Sequence, residues 1–281
     1  MSAVTAFGGD PAVKAALLAR IDGHLANGTL TFGGTAWDGR SGSALGVSVE
    51  GTDPADYADA YGYPLPLAAL LDILAEQPVA PFDAAAFVRS WVDAVRPGAD
   101  LGGVQTELML FMLDDPRLAG IDDDIARQVR GLHRRALDGV SGAQSDLSAL
   151  RAAIVALPRR PEDRRRTMAL QMWESAAWPA ARGHSTLIAA FTAWRQLHVL
   201  IDDPNWSDAD EQRKESLLGQ IWDEQHAVRE AGDVVDYHAH LIARDGDLAD
   251  RFVTNLRRVN GSFMGAAATL ANRCIAAFRA A

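Results

Sequence analysis

The sequence predicts a mainly α-helical protein, a bundle-like array of helices with a small two-stranded β-ribbon near the N-terminus. Apolar residues recur at helical spacing along most of the chain, and glycine or proline turns separate the periodic runs. Only residues 29–49 contain segments that alternate apolar and polar residues. With 281 residues, of which 48% are hydrophobic and 23% charged, the chain is long and apolar enough to bury a core.

Capping residues mark several of the predicted helix starts. Asp10 and Asp53 each precede a proline, which suits the first helical position, and Ser207 to Asp210 resembles a capping box. Two apolar stripes are expected to face a common core, namely Leu67, Leu70, Leu71 and Leu74, and then Phe87, Trp91 and Val95.

The glycine-rich stretch 33–51 interrupts this helical pattern. Residues 29–32 before its tip and 45–49 after it alternate apolar and polar side chains, which predicts two paired strands. Because an isolated two-stranded ribbon is only marginally stable, we expect it to lie on helices.

A segment rich in proline and arginine, residues 158–161, is the clearest candidate for a domain boundary. It predicts an N-terminal helical module with the glycine-rich loop over residues 1–157 and a C-terminal helical bundle over 158–281. One continuous domain is the alternative.

Charge and cysteine content restrict the classes of function. The net charge of −10 argues against nucleic-acid binding, which needs a basic surface. The single cysteine cannot form an intrachain disulfide, and the sequence shows neither a secretory leader nor a run of about 18 apolar residues. We therefore expect an acidic cytoplasmic protein that does not enter a membrane; its oligomeric state stays open.

Residues 14–139 contain, in order, the runs WDGRSGSALGVSVEG, YGYPLPLAALLDILAEQP, WVDAVRPGADL, FMLDDP and LHRRALDG. In these runs the chain resembles a family of uncharacterised bacterial proteins with a Trp/Gly-rich loop, a PGADL turn and an alanine-rich helical C-terminal half similar to immunity-protein domains. The resemblance implies a helical fold and no particular reaction. In that family the loop often carries two cysteines and a nearby histidine, whereas Ser43, Val47 and Glu50 occupy the matching positions here. The resemblance therefore implies no thiol or metal chemistry in this loop.

The glycine-rich loop is the first candidate ligand site. Trp37, Asp38, Arg40, Ser41 and Ser43 set an aromatic ring beside hydrogen-bonding groups, which suits a small-molecule or peptide site. The loop matches neither a phosphate-binding loop nor a nucleophile elbow. The alternative is a structural loop in which Trp37 fills the core.

A second set of candidates lies on the predicted C-terminal helices. Glu224, His226, Asp236 and His240 are candidate metal ligands, of which Asp236 and His240 have the i,i+4 spacing of a helical ligand pair. Imidazole and carboxylate ligands without thiolates suit zinc, manganese or iron. The alternative is an exposed acidic helix face with local histidine–carboxylate pairs.

Catalytic candidates overlap with these residues: His198, His226, Asp236 and His240. His198 lies on an apolar stripe with Phe191 and Trp194, so the alternative for it is a core histidine. No complete motif calls for a cofactor, and a divalent metal is left open.

Two classes of function follow. The first is a non-enzymatic helical binding protein, immunity-like, that recognises a partner protein or a small ligand. An acidic surface would suit a basic partner. The second is a metal-dependent or acid–base enzyme with its site on the C-terminal helices. The sequence favours the first because it contains no complete catalytic constellation.

Overall fold

The computed structural model describes residues 5–76, 83–140, 143–160, 163–178, 185–200 and 204–281. Within these residues the chain is mainly helical, so the predicted mainly α-helical class is confirmed. No helix in the described part of the chain is both long and apolar enough to span a lipid bilayer.

Fourteen α-helices follow one another along the described residues. They are α1 Pro11–Ala26, α2 Ala44–Val49, α3 Pro54–Tyr61, α4 Leu65–Ala75, α5 Ala84–Asp93, α6 Val104–Leu113, α7 Asp123–Leu137, α8 Ala143–Val155, α9 Arg164–Ala176, α10 Ser185–Leu197, α11 Asp208–Glu224, α12 His226–Glu230, α13 Tyr237–Arg244 and α14 Gly246–Ala280. Two short 3-10 turns, Ala6–Gly9 and Pro116–Leu118, lie between them.

The capping predictions are confirmed at three helix starts. Asp10 and Asp53 each accept a hydrogen bond from the backbone N–H two residues further on, at 2.8 Å in both cases. Ser207 and Asp210 form both halves of a capping box at the start of α11. These side chains satisfy backbone donors that a helix leaves without an internal partner.

The predicted β-ribbon is wrong within the described residues. Residues 45–49, expected as the second strand, belong to helix α2. The β pairing that the structure shows there consists of two isolated bridges, Leu30 with Gly42 and Trp37 with Gly42.

The alternating pattern does not indicate a strand here, because the residues between the apolar ones are small and buried rather than exposed to solvent. Gly46 and Ser48 are buried together with Leu45 and Val47. The Ser48 hydroxyl donates to the carbonyl of Ala44 at 2.6 Å, so its burial leaves no polar group unsatisfied. A short helix that carries only apolar and small side chains can therefore be surrounded by the core.

The first of two compact units comprises Met1–Leu197 and Met264–Ala281. Its core contains both predicted apolar stripes: the four leucines of the α4 stripe are at most 1% exposed, and Phe87, Trp91 and Val95 are at most 6% exposed. Phe278, near the end of α14, packs edge-to-face on Trp91 with ring centroids 4.7 Å apart. Residues far apart in sequence thus share one core.

The second unit is His198–Phe263. Its apolar core is small and is formed by Ile221, Leu241 and Ala249 with partly buried neighbours. Ion pairs join its helices, such as Arg213 with Asp245 at 2.7 Å.

The division into units falls after Leu197 and before Met264. The boundary expected at residues 158–161 stays a prediction, and Pro161 lies outside the described residues. Helices α8 and α9, which flank that segment, contact one another within the first unit.

Candidate functional site

The C-terminal end of the glycine-rich loop is fixed by the cap of helix α2. The Ser43 hydroxyl accepts from the N–H of Gly46 at 3.1 Å and donates to Asp72 Oδ2 at 2.6 Å. Asp72 Oδ1 accepts from the N–H of Leu45 at 2.8 Å. Burial raises the pKa of Asp72, while its bonds to Ser43 and Leu45 oppose that shift. A carboxylate on α4 thus holds the start of α2.

Close packing explains two of the loop glycines. The carbonyl of Ala36 lies over the start of α2 and accepts from the N–H of Ser43 at 2.9 Å. A Cβ atom at Gly42 would lie 2.3 Å from that carbonyl oxygen, and one at Gly46 only 1.7 Å from it. Neither position can hold a side chain unless the backbone moves. At these two positions, glycine therefore allows the loop backbone to pack closely against the start of α2.

The tip of the loop is a turn held by Asp38. Asp38 Oδ1 accepts from the backbone N–H groups of Arg40 at 2.8 Å and Ser41 at 2.7 Å. These backbone bonds lower the pKa of Asp38. The turn fixes the backbone of Arg40, whose side chain is exposed.

Helix α1 supplies the opposite wall. His24 Nδ1 lies 2.7 Å from the hydroxyl of Thr29, which donates its own hydrogen to the carbonyl of His24 at 3.3 Å. These contacts hold the imidazole ring beside Thr29. The imidazole packs edge-to-face on Trp37, with ring centroids 6.0 Å apart. Trp37 thereby joins the loop to α1.

Arg20, one turn before His24 on α1, is held in place by α2. Its Nη1 donates to the carbonyl of Ser48 at 2.9 Å. The same carbonyl accepts from the hydroxyl of Tyr61 at 2.6 Å. One edge of the guanidinium is therefore anchored, although the residue is exposed.

Between these walls lies an open groove of about 500 Å³, which we call the α1–loop groove. It is lined by Ala19, Arg20, Gly23, His24, Asn27, Thr29 and Arg40. The lining contains two arginines and no carboxylate, although the whole chain has 37 acidic residues against 27 lysines and arginines. Its volume is in the range of small-molecule sites.

The structure gives the five predicted loop residues different positions. Arg40 lines the groove, and Trp37 supports it through His24. Asp38 and Ser41 form the turn behind Arg40. Ser43 is 4% exposed and its hydroxyl is already bonded, so its contribution to ligand binding stays a prediction that the geometry does not favour.

Four lining residues were not singled out from the sequence: Arg20, His24, Asn27 and Thr29. All lie on α1 or in the turn after it. The only local signal is that Arg20 and His24 stand one helical turn apart and so share a face.

The candidates on the C-terminal helices make separate local contacts. His226 Nδ1 lies 3.5 Å from Glu230, and both side chains are mostly exposed. Glu224 pairs with Arg244. Asp236 caps α13 by accepting from the N–H of Ala239 at 2.9 Å. Within the described residues, no three histidine, cysteine, aspartate or glutamate side chains come together as metal ligands.

The two remaining histidines of that set occupy different environments. His198 directly follows α10 and is buried, at 8% exposure. His240 is half-buried on α13, where its backbone N–H donates to the carbonyl of Asp236. Their proposed catalytic roles stay predictions.

Arginines of the basic run that begins at Arg159 form ion pairs and hydrogen bonds with other residues of the first unit. Arg159 pairs with Glu174, and Arg166 pairs with Asp122 at 2.8 Å. Arg165 donates to the carbonyl of Arg117 at 3.1 Å. This run is therefore a weaker candidate for anion binding than the α1–loop groove.

No protein-family model, curated protein or solved structure matches the chain.

Proposed function

We propose that the chain is a non-enzymatic binding protein that holds a small ligand in the α1–loop groove. The observation that carries the proposal is a concave site whose walls are held by intrachain bonds. Asp38 fixes the turn, Arg20 is anchored on Ser48, and His24 is held by Thr29 and Trp37. Such preorganisation lowers the conformational entropy that the groove residues lose when a ligand binds.

Binding is favoured over catalysis by the composition of the lining. Among the lining residues, His24 is the one whose side-chain type most often serves as a general acid or base. General acid–base or nucleophilic catalysis usually needs a second positioned group beside such a histidine. Thr29 contacts both the His24 ring and the His24 backbone carbonyl, and the lining contains no carboxylate that would complete a catalytic triad with them.

A fragment screen by heteronuclear NMR tests this proposal. Anionic, neutral and cationic fragments are added separately to the isotope-labelled chain. We expect at least one class to shift the resonances of Thr29, Arg40 and the Trp37 indole in a saturable way.

A variant that fills the groove supplies the control. Gly23 lines the groove in α1, and a Cβ there meets open space, so Gly23→Leu should fold and block the site. Gly219→Leu in α11, also open, is the matched substitution elsewhere. Fragments that bind Gly23→Leu as well as wild type, or no binding at all, would refute the proposal.

A second candidate, recognition of a basic partner protein, is supported by the charge of His198–Phe263. This unit contains 14 aspartates and glutamates against seven lysines and arginines. Trp222 is 52% exposed there, with the guanidinium of Arg229 3.3 Å from its ring centroid. Exposed aromatic residues are enriched in protein interfaces.

A designed amphipathic helical peptide of lysine and leucine can be used as the probe for this second candidate. We expect it to quench tryptophan fluorescence in a salt-dependent way and to bind Trp222→Ala more weakly. A matched glutamate–leucine peptide should not bind. Equal binding of both peptides would contradict the basic-partner candidate.

The enzyme alternative, with a metal or acid–base site on the C-terminal helices, stays a prediction. Metal analysis of untagged protein is its direct test. Stoichiometric zinc, manganese or iron that is lost in His226→Ala or His240→Ala would favour it over the binding proposal.

A further inference from the structure

We infer that the ligand of the α1–loop groove is an anion whose carboxylate or phosphate oxygens contact Arg20 and Arg40. This inference rests on the proposed function and adds the chemical class of the ligand. It follows from the charge of the lining, from the unused N–H donors of the two guanidinium groups and from the size of the groove.

The groove is cationic within an acidic protein. Its lining includes Arg20 and Arg40 and no aspartate or glutamate. Two carboxylates stand close to it in sequence, and neither lines the groove, although the charge of Asp38 acts on Arg40. Asp22 pairs with Arg89 at 2.5 Å, and Asp38 accepts the two N–H groups of the loop turn. A concave surface lined by one sign of charge concentrates ligands of the opposite sign.

Both guanidinium groups have N–H donors that no acceptor in the described part of the chain occupies. In the described part of the chain, neither Arg20 nor Arg40 forms an ion pair with a carboxylate, unlike Arg159 and Arg166. Arg20 uses Nη1 for the Ser48 carbonyl, which orients the rest of the group. The planar fork of a guanidinium matches two oxygens of a carboxylate or a phosphate.

The remaining lining groups restrict the ligand further. The amide of Asn27 can donate to an additional oxygen, and the His24 imidazole adds a further polar group to the lining. A groove of about 500 Å³ has room for a compact polyanion of metabolite size. Inorganic phosphate and citrate are simple probes for a phosphate-bearing ligand and a carboxylate-bearing ligand, respectively.

Isothermal titration calorimetry at low ionic strength tests the inference with phosphate and citrate as anionic probes. Glycerol is the neutral probe and spermidine the cationic one. We expect one saturable site for at least one anion, weaker binding as sodium chloride is added, and no heat of binding for glycerol at the groove. A higher affinity for phosphate than for citrate indicates a phosphate-bearing ligand, and the reverse indicates a carboxylate-bearing one.

Two variants assign the binding to the groove. Arg40→Ala removes one charge, and Arg20→Gln removes the other but keeps a polar side chain at that position. Each should weaken anion binding by at least about tenfold, as expected for a lost charge-assisted hydrogen bond. Arg134→Ala removes an exposed arginine of α7 that does not line the groove, and it should change the affinity by less than about twofold. Thermal melts by circular dichroism establish that all variants are folded.

The outcomes separate this inference from the proposed function. Anion binding that is unchanged in both folded groove variants would overturn the inference. So would neutral fragments that shift groove resonances while neither anion binds; in that case the proposed function would stand. If no fragment and no anion binds the groove, both fall.

Discussion

Replacing Gly46 by alanine tests the close packing that shapes the glycine-rich loop. The new methyl group would stand 1.7 Å from the Ala36 carbonyl oxygen and 2.8 Å from its carbon. These are backbone atoms, so the strain cannot be relieved by rotating a side chain. The loop would have to move away from α2.

The magnitude follows from two contributions. Overpacking a buried site costs about 1–3 kcal/mol, and a contact this short belongs at the upper end. Moving the loop also breaks the 2.9 Å bond from Ser43 N–H to the Ala36 carbonyl, which contributes about 1 kcal/mol. Because Gly46 lies in α2, the higher helix propensity of alanine offsets about 0.5–1 kcal/mol of this loss. We therefore expect Gly46→Ala to lower the free energy of unfolding by about 2–3 kcal/mol.

Urea unfolding followed by circular dichroism measures this change. Gly131→Ala in α7 is the matched control, because a Cβ there meets no atom within 4 Å. It should raise the free energy of unfolding by about 0.5–1 kcal/mol, since alanine favours helix over glycine. A loss below about 1 kcal/mol for Gly46→Ala would refute the packing argument.

Two further predictions concern titratable groups that are half-buried, as in Asp72, or buried, as in Cys274. Burial raises the pKa of Asp72 above 3.8, so the folded state binds its proton more tightly than the unfolded state does. Wild type should therefore lose stability relative to Asp72→Asn as the pH rises from 3.8 through the raised pKa, as measured by urea unfolding at several pH values. A stability difference that does not vary with pH would contradict this. Burial also raises the pKa of the Cys274 thiol, which should react with an aromatic disulfide reagent only after unfolding. Rapid reaction of the native protein would be the contrary result.

The helix starts and the core stripes could be predicted because their signals are local. An aspartate before a proline specifies a cap by itself, as at Asp10 and Asp53, and the leucine spacing in α4 reports burial directly. Residues 45–49 could not be assigned in this way. Their alternation resembles a strand, but the cap from Asp72, 27 residues beyond Leu45, selects a helix.

The candidate site was predictable only in part, for the same physical reason. Loop composition pointed to Arg40 and Trp37. The partner wall comes from an exposed face of α1, where Arg20 and His24 look like ordinary surface residues until the loop packs beside them. Residues 264–281 likewise join the first unit, an association that no local pattern indicates.

Separate titrations of citrate and phosphate into the isotope-labelled chain, followed by heteronuclear NMR, test the central claim most directly. The predicted result, for at least one of the two anions, is a single saturable site that shifts Thr29, Arg40 and the Trp37 indole, with the dissociation constant raised by at least about tenfold in Arg40→Ala. Shifts that spread over the surface without saturating, or a dissociation constant unchanged in Arg40→Ala, would contradict it.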